Sequence, residues 1–459
     1  MTLFAAWSQI VADWDASFPQ RRTLRRATRQ ALGSLLCVGR RCLSRIIWTQ
    51  GRQQRSWSSE YFLHSRCRWE PQTLFAGVWR RALPYCPGRL VGVAVDDTRL
   101  RKTGRAIPQA RYHRDPLSPP FHVNLMRGLR FLQASLLLPL HRQGNVSCRA
   151  LPVRFEEAAP VKKPSRKASA EAWQEYKKMC KLHNLSQRFV ESMAPLRQAM
   201  DEAGGAAKLL VLALDGSFCN RTCFRAARQR TELIARARKD ARLCFRAPQP
   251  SPRFYASSPF TPEQVRQDES LPWQQTKLFY GGKRRRIRYK ELAQVYWRTG
   301  AGQIPLRLFV VAPTPYRKRK SSKLYYRQPA YLLSTDLRHS APQLLQIYFD
   351  RWQIEVNHRD EKETLGVGQA QLWNIDAVPK QPALVVAAYS ALLLAALQAF
   401  GTQRTDAYQA LPRWRRKAHR PSCLDLVTLL RQEMVDHPEC PQSLGFHLTH
   451  RALTQAGDA

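Results

Sequence analysis

Two stretches of the chain end in acidic residues directly after apolar runs that are typical of buried strands. The segment 90–97 ends in Asp96 and Asp97, and the run Leu209–Leu214 is followed by Asp215. When the two runs are aligned, Asp96 takes the place of Asp215, which favours Asp96 as the first acid and leaves Asp97 as the alternative. The carboxyl ends of neighbouring strands meet at one edge of a sheet. We therefore expect two carboxylates to lie close together, although acids after apolar runs also begin ordinary turns.

A third carboxylate belongs to the segment 340–368. Ser340 followed by Pro342 predicts a helix start, and we expect one continuous helix up to Gly366. At about 100° per residue, one face about 80° wide gathers a single acid with aromatic and basic residues. That face consists of Tyr348, Arg351, Glu355, Arg359 and Lys362. Because a core stripe would be apolar and a solvated face would mix charges, the pattern favours a metal-holding carboxylate flanked by phosphate contacts.

The spacing within this face resembles a known signature. Tyr348, Arg351, Glu355 and Lys362 match the Y-(2)-R-(3)-E-(6)-K pattern of bacterial insertion-sequence transposases of the DDE type. The resemblance implies an α/β fold, with a ribonuclease-H-like mixed-sheet catalytic core interrupted by a β-rich insertion. It also implies cut-and-paste transposition, in which each element end is nicked, closed into a hairpin, reopened and joined to target DNA. An ordinary charged amphipathic helix is the alternative interpretation.

The three acids are expected to be both the catalytic residues and the metal ligands. Hydrolysis of a phosphodiester and transfer of the freed 3′-hydroxyl require charge neutralisation on the attacking and leaving oxygens, which paired hard cations provide. Asp96, Asp215 and Glu355 supply oxygen ligands that suit two Mg²⁺ ions, with Mn²⁺ as a substitute. His358 lies near the same helix face, where a solvated or phosphate-contacting role is favoured over metal ligation.

DNA contacts are expected around these acids. On the signature helix, the residues that we expect to bind DNA are Tyr348, Arg351, Arg359 and Lys362. Closing a hairpin requires a terminal base to leave the stack, and an aromatic platform must then receive it. Trp297 is the first candidate for this platform and Trp273 is the second, with packing inside the insertion as the alternative for either.

The composition of the chain is strongly basic. Its 459 residues include 75 Lys and Arg against 34 Asp and Glu, which gives a formal net charge of +41. This excess predicts a polyanionic partner, and basic residues interleaved with aromatic ones along the whole chain favour nucleic acid over a membrane surface. The expected partners are double-stranded DNA with terminal inverted repeats, target DNA, and a second copy of the chain that forms a homodimer on DNA.

Other features of the sequence concern the cellular compartment. The 11 cysteines lack paired Cys-x-x-Cys spacing, which predicts reduced thiols in a cytoplasmic, nucleoid-associated protein. The N-terminal segment has acids within its apolar part and is not typical of a signal peptide. The uncharged stretch 383–400 is explained better as a buried core helix than as a membrane span.

Composition and periodicity divide the chain into five regions. We expect a helical DNA-binding domain at 1–85, the core at 86–242 and 329–400, the β-rich insertion at 243–328, and a helical basic region at 401–459. The alternative for the first region is a helical cap whose arginines are only solvated. Within the core we expect a strand at 128–140 in a hairpin with 121–126, and helices at 170–200 and 221–240.

Two functions other than an active transposase remain open. One is a catalytically inactive, transposase-derived DNA-binding protein, against which the presence of all three acids argues. The other is a ribonuclease-H-like nuclease without strand transfer. Such a nuclease would cut DNA without joining it, so the reaction products separate it from a transposase.

Overall fold

The computed structural model describes residues 1–115, 118–119, 121–142, 147–319, 321–415 and 418–447. Within these residues, ten strands form one sheet in the order β2-β3-β1-β5-β6-β12-β9-β8-β7, with β4 also paired to β3. A separate hairpin contains β10 and β11. The strands are β1 Leu90–Arg101, β2 Arg111–Arg114, β3 Leu125–Leu138, β4 Arg149–Glu157, β5 Leu209–Leu214, β6 Thr231–Arg236, β7 Gln274–Tyr280, β8 Lys283–Tyr296, β9 Pro305–Val311, β10 Pro315–Arg317, β11 Leu324–Tyr326 and β12 Ala330–Ser334.

Helices surround this sheet. Those before β6 are α1 Leu3–Ala12, α2 Arg21–Leu36, α3 Leu43–Thr49, α4 Trp57–Ser65, α5 Ala76–Ala82, α6 Ala170–Leu182, α7 Leu185–Met200 and α8 Arg221–Arg225. Those after β6 are α9 Pro262–Gln267, α10 Ala341–Asp350, α11 Gln353–Arg359, α12 Ala377–Phe400, α13 Cys423–Asp436 and α14 Glu439–Ser443. The predicted helical character of 1–85 is therefore present, and helices also occupy much of the described part of 401–459.

The sheet is mixed. β1, β5 and β6 run parallel to one another, and the other pairings are antiparallel. Runs of Val, Leu and Ala fill β5 and the first half of β1 because both faces of these central strands are covered. The sheet order, together with the helical regions, defines a ribonuclease-H-like fold, as the sequence predicted.

Two apolar layers hold the sheet. On one face, side chains of β1, β5 and β9 share a core with the N-terminal helices, α7, α12 and α13. On the other face, α10 packs against β5, β6 and β12. The central element of the larger core is α12, which is long and apolar enough to cross a membrane, yet 83% of its most apolar window is buried inside the protein. This burial agrees with the predicted core helix.

Three local predictions are wrong. The segment 121–124 forms no strand in the described residues, and β3 pairs instead with β2, β1 and β4. The expected helix at 221–240 ends at Arg225, and strand β6 follows, because its apolar run 233–235 is buried between β5 and β12. The expected helix at 170–200 is divided at Asn184, whose side chain accepts a hydrogen bond from the backbone N–H of Gln187 and caps α7.

The predicted β-rich insertion at 243–328 does not interrupt the sheet as a separate unit. β9 pairs with β12 on one side and with β8 on the other, so β7, β8 and β9 extend the central sheet. The reason is the composition of β9, whose buried residues from Leu306 to Val311 fit a covered interior strand. The hairpin Gly281–Gly282 joins β7 to β8 at positive φ.

Many N-terminal arginines are structural. Glu60 in α4 is fully buried, and Arg29 donates a hydrogen bond to its carboxylate, with Arg52 3.4 Å away. Arg25 and Arg29 also donate to the backbone carbonyls of Ser443 and Leu444 beside α14. These guanidinium groups therefore join the N-terminal helices to the C-terminal ones, and only the remaining basic residues of 1–85 are left for a DNA-binding role.

Candidate active site

The first two acids are brought together by the register of two parallel strands. β1 pairs with β5 so that Val93, Ala94 and Val95 lie opposite Leu212, Ala213 and Leu214. The next residue on each strand is Asp96 on β1 and Asp215 after β5, so the register is the one that the sequence alignment predicted. Asp215 then caps the turn at Gly216–Phe218, accepting hydrogen bonds from the backbone N–H and the hydroxyl of Ser217 at 2.9 and 2.6 Å.

Asp96 does not stand at the end of its strand, as the sequence suggested. β1 continues to Arg101, because β3 pairs with it over its whole second half. Successive strand residues point to opposite faces, which separates the two candidate acids. Asp97 accepts a hydrogen bond from Arg130 at 2.8 Å and lies 3.4 Å from Arg99. The Asp97 carboxylate is therefore committed to an ion pair, whereas Asp96 faces the third acid.

The signature segment is not one uninterrupted α-helix. α10 ends at Asp350, and the backbone N–H groups of Ile354 and Glu355 bond to carbonyls only three residues earlier. After α11, a π-helical turn covers Asp360–Thr364. The chain nevertheless continues from α10 into α11 in a helical path, because Arg351 and Trp352 have right-handed helical φ and ψ angles. Such changes of hydrogen-bond register within helices are often found at functional sites, and they were not visible in the apolar and charged periodicity.

Glu355 and His358 complete a cluster around Asp96. Ligand atoms of Asp96, Glu355 and His358 lie within 4.8 Å of one another. His358 is buried, and its Nε2 has no hydrogen-bond partner in the described residues. The predicted solvated role of His358 is therefore wrong, since the i,i+3 spacing from Glu355 turns the imidazole inward. Asp215 adjoins this cluster but is not one of its three members.

Electrostatics identify Asp96 as the strained member of the site. Burial, and after it the nearby charges of Asp215 and Glu355, raise the pKa of its carboxyl group to about 8, against the opposing effect of Arg351. The Arg351 Nη1 atom lies 3.9 Å from Asp96 Oδ2. Burial lowers the pKa of His358 to about 3, so this imidazole is neutral and has a lone pair available.

The other signature residues lie along the same edge. Arg351 stacks over the ring of Tyr348 at 5.8 Å, and its buried Nε and Nη1 atoms have no hydrogen-bond partner in the described part of the chain. Burial lowers the pKa of Lys362, while Glu361 and Glu355 oppose that shift. Arg359 is exposed, with Nη2 3.4 Å from Asp360. The structure therefore brings Tyr348, Arg351 and Lys362 to the carboxylates and leaves Arg359 at the surface.

The structure does not bring either predicted tryptophan to the acids. Trp297 follows Tyr296, which pairs with the first residue of β9 at the sheet end away from Asp215, and it packs edge-on against Phe224. Trp273 lies at the correct end, but five strand spacings, about 24 Å, separate β7 from β5. Sequence analysis overlooked Trp352, which is the residue after Arg351 and is 61% exposed. Its position inside the Y-(2)-R-(3)-E-(6)-K spacing is the sequence feature that could have identified it.

The side chains present fit a divalent metal ion. Carboxylate oxygens and a neutral imidazole are suitable ligands, and the His358 Nε2 atom is buried without another partner in the described residues. The raised pKa of Asp96 also favours a bound cation, because the acids repel one another until a cation or a proton neutralises them. Asp96, Glu355 and His358 would hold a first ion, and Asp215 lies next to these three residues.

Acids on adjacent strands of a ribonuclease-H-like sheet, joined by a glutamate from a following helix, define a metal-dependent nuclease of the DDE class. The chain matches the family described as DDE superfamily endonuclease over residues 15–303, and it belongs to that family. Nucleases of this family use divalent metal ions. The matched residues include Asp96 and Asp215 and end before Glu355. No curated protein matches the chain.

The strain on Asp96 predicts a pH-dependent stability in the metal-free protein. Between its ordinary pKa of 3.8 and its raised pKa of about 8, the folded state holds a proton that the unfolded state releases. Stability therefore falls as pH rises through this window. Asp96→Asn removes this loss, so the variant melts at a higher temperature than the parent at about pH 8 and less so at about pH 5, measured in EDTA.

The control for this experiment is Asp240→Asn. Asp240 is exposed and paired with Arg238, 2.6 Å away, so it carries no strain of this kind. This variant should follow the parent's dependence on pH. Parallel melting curves for the parent and Asp96→Asn across the whole window would contradict the electrostatic account of the site.

Proposed function

We propose that the chain is the transposase of an insertion sequence, which cuts DNA at the ends of its element and joins the freed 3′ ends to target DNA. The ions would be Mg²⁺, two per site, with Mn²⁺ as a substitute. The DNA substrate would be a duplex with terminal inverted repeats. Reaction at two ends favours a homodimer on DNA, in a cytoplasmic and nucleoid-associated setting.

The observation that carries this proposal is the common edge of the sheet. Asp96 and Asp215 arrive in register from β1 and β5, and Glu355 arrives from α11 on the same side. The helical segment that supplies Glu355 also supplies Tyr348, Arg351 and Lys362, which lie beside the acids in the Y-(2)-R-(3)-E-(6)-K spacing. A simple nuclease needs the acids, whereas a row of phosphate-binding groups suits an enzyme that holds a cut end for a second step.

The residues of the chain would have separate tasks. A bound divalent ion supplies charge neutralisation on the attacking and leaving oxygens. Asp96, Asp215, Glu355 and His358 would hold the ions. Arg351 has buried N–H groups without a hydrogen-bond partner in the described residues, and these can donate to a phosphate in charge-assisted hydrogen bonds. Lys362 adds a positive charge next to Glu355, where the ordinary pKa of lysine is lowered by burial.

Hairpin formation at the cut DNA ends belongs to the proposed reaction. It requires an extruded base to stack on an aromatic ring near the scissile phosphate. Trp297 and Trp273 are too distant, so the candidate platform becomes Trp352, which is exposed between Arg351 and Glu355. A DNA end labelled on each strand would reveal a hairpin as a product of doubled length under denaturing conditions.

A plasmid assay tests the overall proposal. The protein would be incubated with Mg²⁺, a supercoiled target plasmid, and a short duplex that carries the ends of the element. Joined products support a transposase. Nicked or linear plasmid without joining would indicate a nuclease, and binding without either product would indicate a DNA-binding derivative.

The first prediction concerns the acids. Asp96→Asn, Asp215→Asn and Glu355→Gln should each abolish cleavage, because removal of one ligand charge disorders the whole ion site. DNA binding, measured by gel shift without divalent ions, should remain. Asp97→Asn is the matched control and should cleave, because Asp97 serves the ion pair with Arg130. If Asp97→Asn is inactive while Asp96→Asn cleaves, the wrong acid has been assigned.

The second prediction concerns the phosphate contacts. Arg351→Ala and Lys362→Ala should weaken binding of the cut end by about 1.5 to 3 kcal/mol each, the usual contribution of a hydrogen bond to a charged group. Melting temperatures should show that both variants are folded. Arg359→Ala, on the exposed side of the same helix, should have a smaller effect. Strand joining at the parent's level by both variants would contradict the assigned positions.

The third prediction concerns general DNA binding. The β7–β8 hairpin extends past the carboxylate end of the sheet and exposes Lys283 and Arg286. Replacing both with alanine should reduce the slope of log K against log salt by about 1.8, at about 0.9 for each lost phosphate contact. Titrations of duplex DNA at several salt concentrations measure this slope. An unchanged slope would mean that DNA does not reach the hairpin.

A further inference from the structure

One segment of the chain leaves the fold and returns without contributing to its core. We call residues 159–184, between β4 and α7, the arm. Its first part is an extended loop, and its second part is α6, which has no buried residue in the described structure. Ser169 caps the helix by accepting a hydrogen bond from the backbone N–H of Ala172, and Lys163 lies 5.6 Å over the ring of Trp173. Both of these contacts lie within the arm.

A helix of this kind needs a partner. α6 has 13 residues, and isolated helices shorter than about 12 to 15 residues are marginally stable in water. Most helical stability in proteins comes from packing of one face against other elements, and none of the α6 side chains is fully buried in the described structure. Its exposed face presents Lys177 and Lys181 one turn apart, so the surface that would meet a partner is cationic.

The charge of the arm identifies the class of partner. The arm contains two acids, Glu171 and Glu175, and seven basic residues, which are Lys162, Lys163, Arg166, Lys167, Lys177, Lys178 and Lys181. A second copy of a chain with a net charge of +41 would be repelled by such a segment. A polyanion would be attracted, and phosphates of duplex DNA carry one negative charge per about 1.7 Å of helix axis.

Both ends of the arm lie at the carboxylate edge of the sheet. On the incoming side, β4 ends at Glu157, opposite Phe131, which in turn pairs with Thr98, two residues after Asp96. The arm therefore starts two strands from the first acid.

On the outgoing side, the start of α7 is hydrogen-bonded to the loop after Asp215. Asn220 donates from its amide to the hydroxyl of Ser186 and to the carbonyl of Ser217, both at 2.8 Å. Ser217 in turn donates to the Asp215 carboxylate. The C-terminal end of α6 is therefore connected to the second acid through a short chain of hydrogen bonds.

From this placement we propose that the arm binds the phosphate backbone of the DNA duplex that flanks the scissile bond. α6 is about 20 Å long at 1.5 Å per residue, which matches about six base pairs at 3.4 Å each. The contact is independent of base sequence, since lysine ammonium groups neutralise phosphates without reading bases. The inference rests on the proposed action on DNA and adds where the duplex lies relative to the acids.

The test compares two double variants that each remove two exposed positive charges. Lys177→Gln/Lys181→Gln changes the arm. The control, Arg89→Gln/Arg338→Gln, changes one residue just before β1 and one shortly after β12, both at the sheet edge opposite the carboxylates. Binding of a random-sequence duplex is titrated in EDTA at several salt concentrations. The arm variant should lose about 1.8 from the slope of log K against log salt, and the control should keep the parent's slope.

Hydrogen exchange supplies a second measurement that does not depend on variants. The α6 amides should exchange rapidly in the free protein, because no α6 side chain is fully buried in the described structure, and slowly once duplex DNA is added. Equal slopes for the arm variant and the parent, with the parent binding DNA, would overturn the role of the arm and leave the proposed function intact. Protection of α6 that rises with protein concentration in the absence of DNA would assign the arm to a dimer contact instead. A parent that does not bind DNA would overturn both proposals.

Discussion

The parallel pairing of β1 with β5 is the constraint on which the site depends. It fixes Asp96 beside Asp215 in a largely buried position, where the carboxyl groups repel each other and Glu355 adds to the repulsion. The apolar cores do not relieve that repulsion. The folded sheet therefore holds the carboxyl groups in an unfavourable arrangement, which a bound cation can neutralise. The surrounding cores must therefore be strong enough to hold the acids in place while no ion is bound, and both faces of these two strands are covered by buried side chains.

The alignment of two short runs predicted the register of these strands, because a central parallel strand needs apolar side chains on both faces. It also selected Asp96 over Asp97, which the structure explains by the ion pair of Asp97 with Arg130. The signature spacing placed Glu355 and Arg351 on one side of a helix. These features depend on local periodicity, and local periodicity is what a single sequence displays.

Features that depend on distant partners could not be predicted in this way. β6 was mistaken for helix, since its six residues gain their strand character from β5 and β12. That the strands β7 to β9 of the predicted insertion extend the central sheet was not predictable, because no pattern within them shows that β9 pairs with β12. His358 was expected in a solvated or phosphate-contacting role, since its burial beside Asp96 depends on the position of β1. In each case the missing information lies far away along the chain.

The long helix α12 has a consequence for the order in which the protein can fold. Trp7 donates a hydrogen bond from its indole to the carbonyl of Ala388, 381 residues later, and the backbone N–H groups of Leu3 and Phe4 donate to Glu433. At about 5 to 20 residues per second, a ribosome needs about 20 to 80 s between these two partners. The first helices emerge early and can pack against one another, as Trp14 does when it donates a hydrogen bond to the carbonyl of Leu74. Their apolar surface that packs on α12 stays uncovered until α12 has been synthesised. A product that stops before residue 377 would lack the surface on which its own beginning folds.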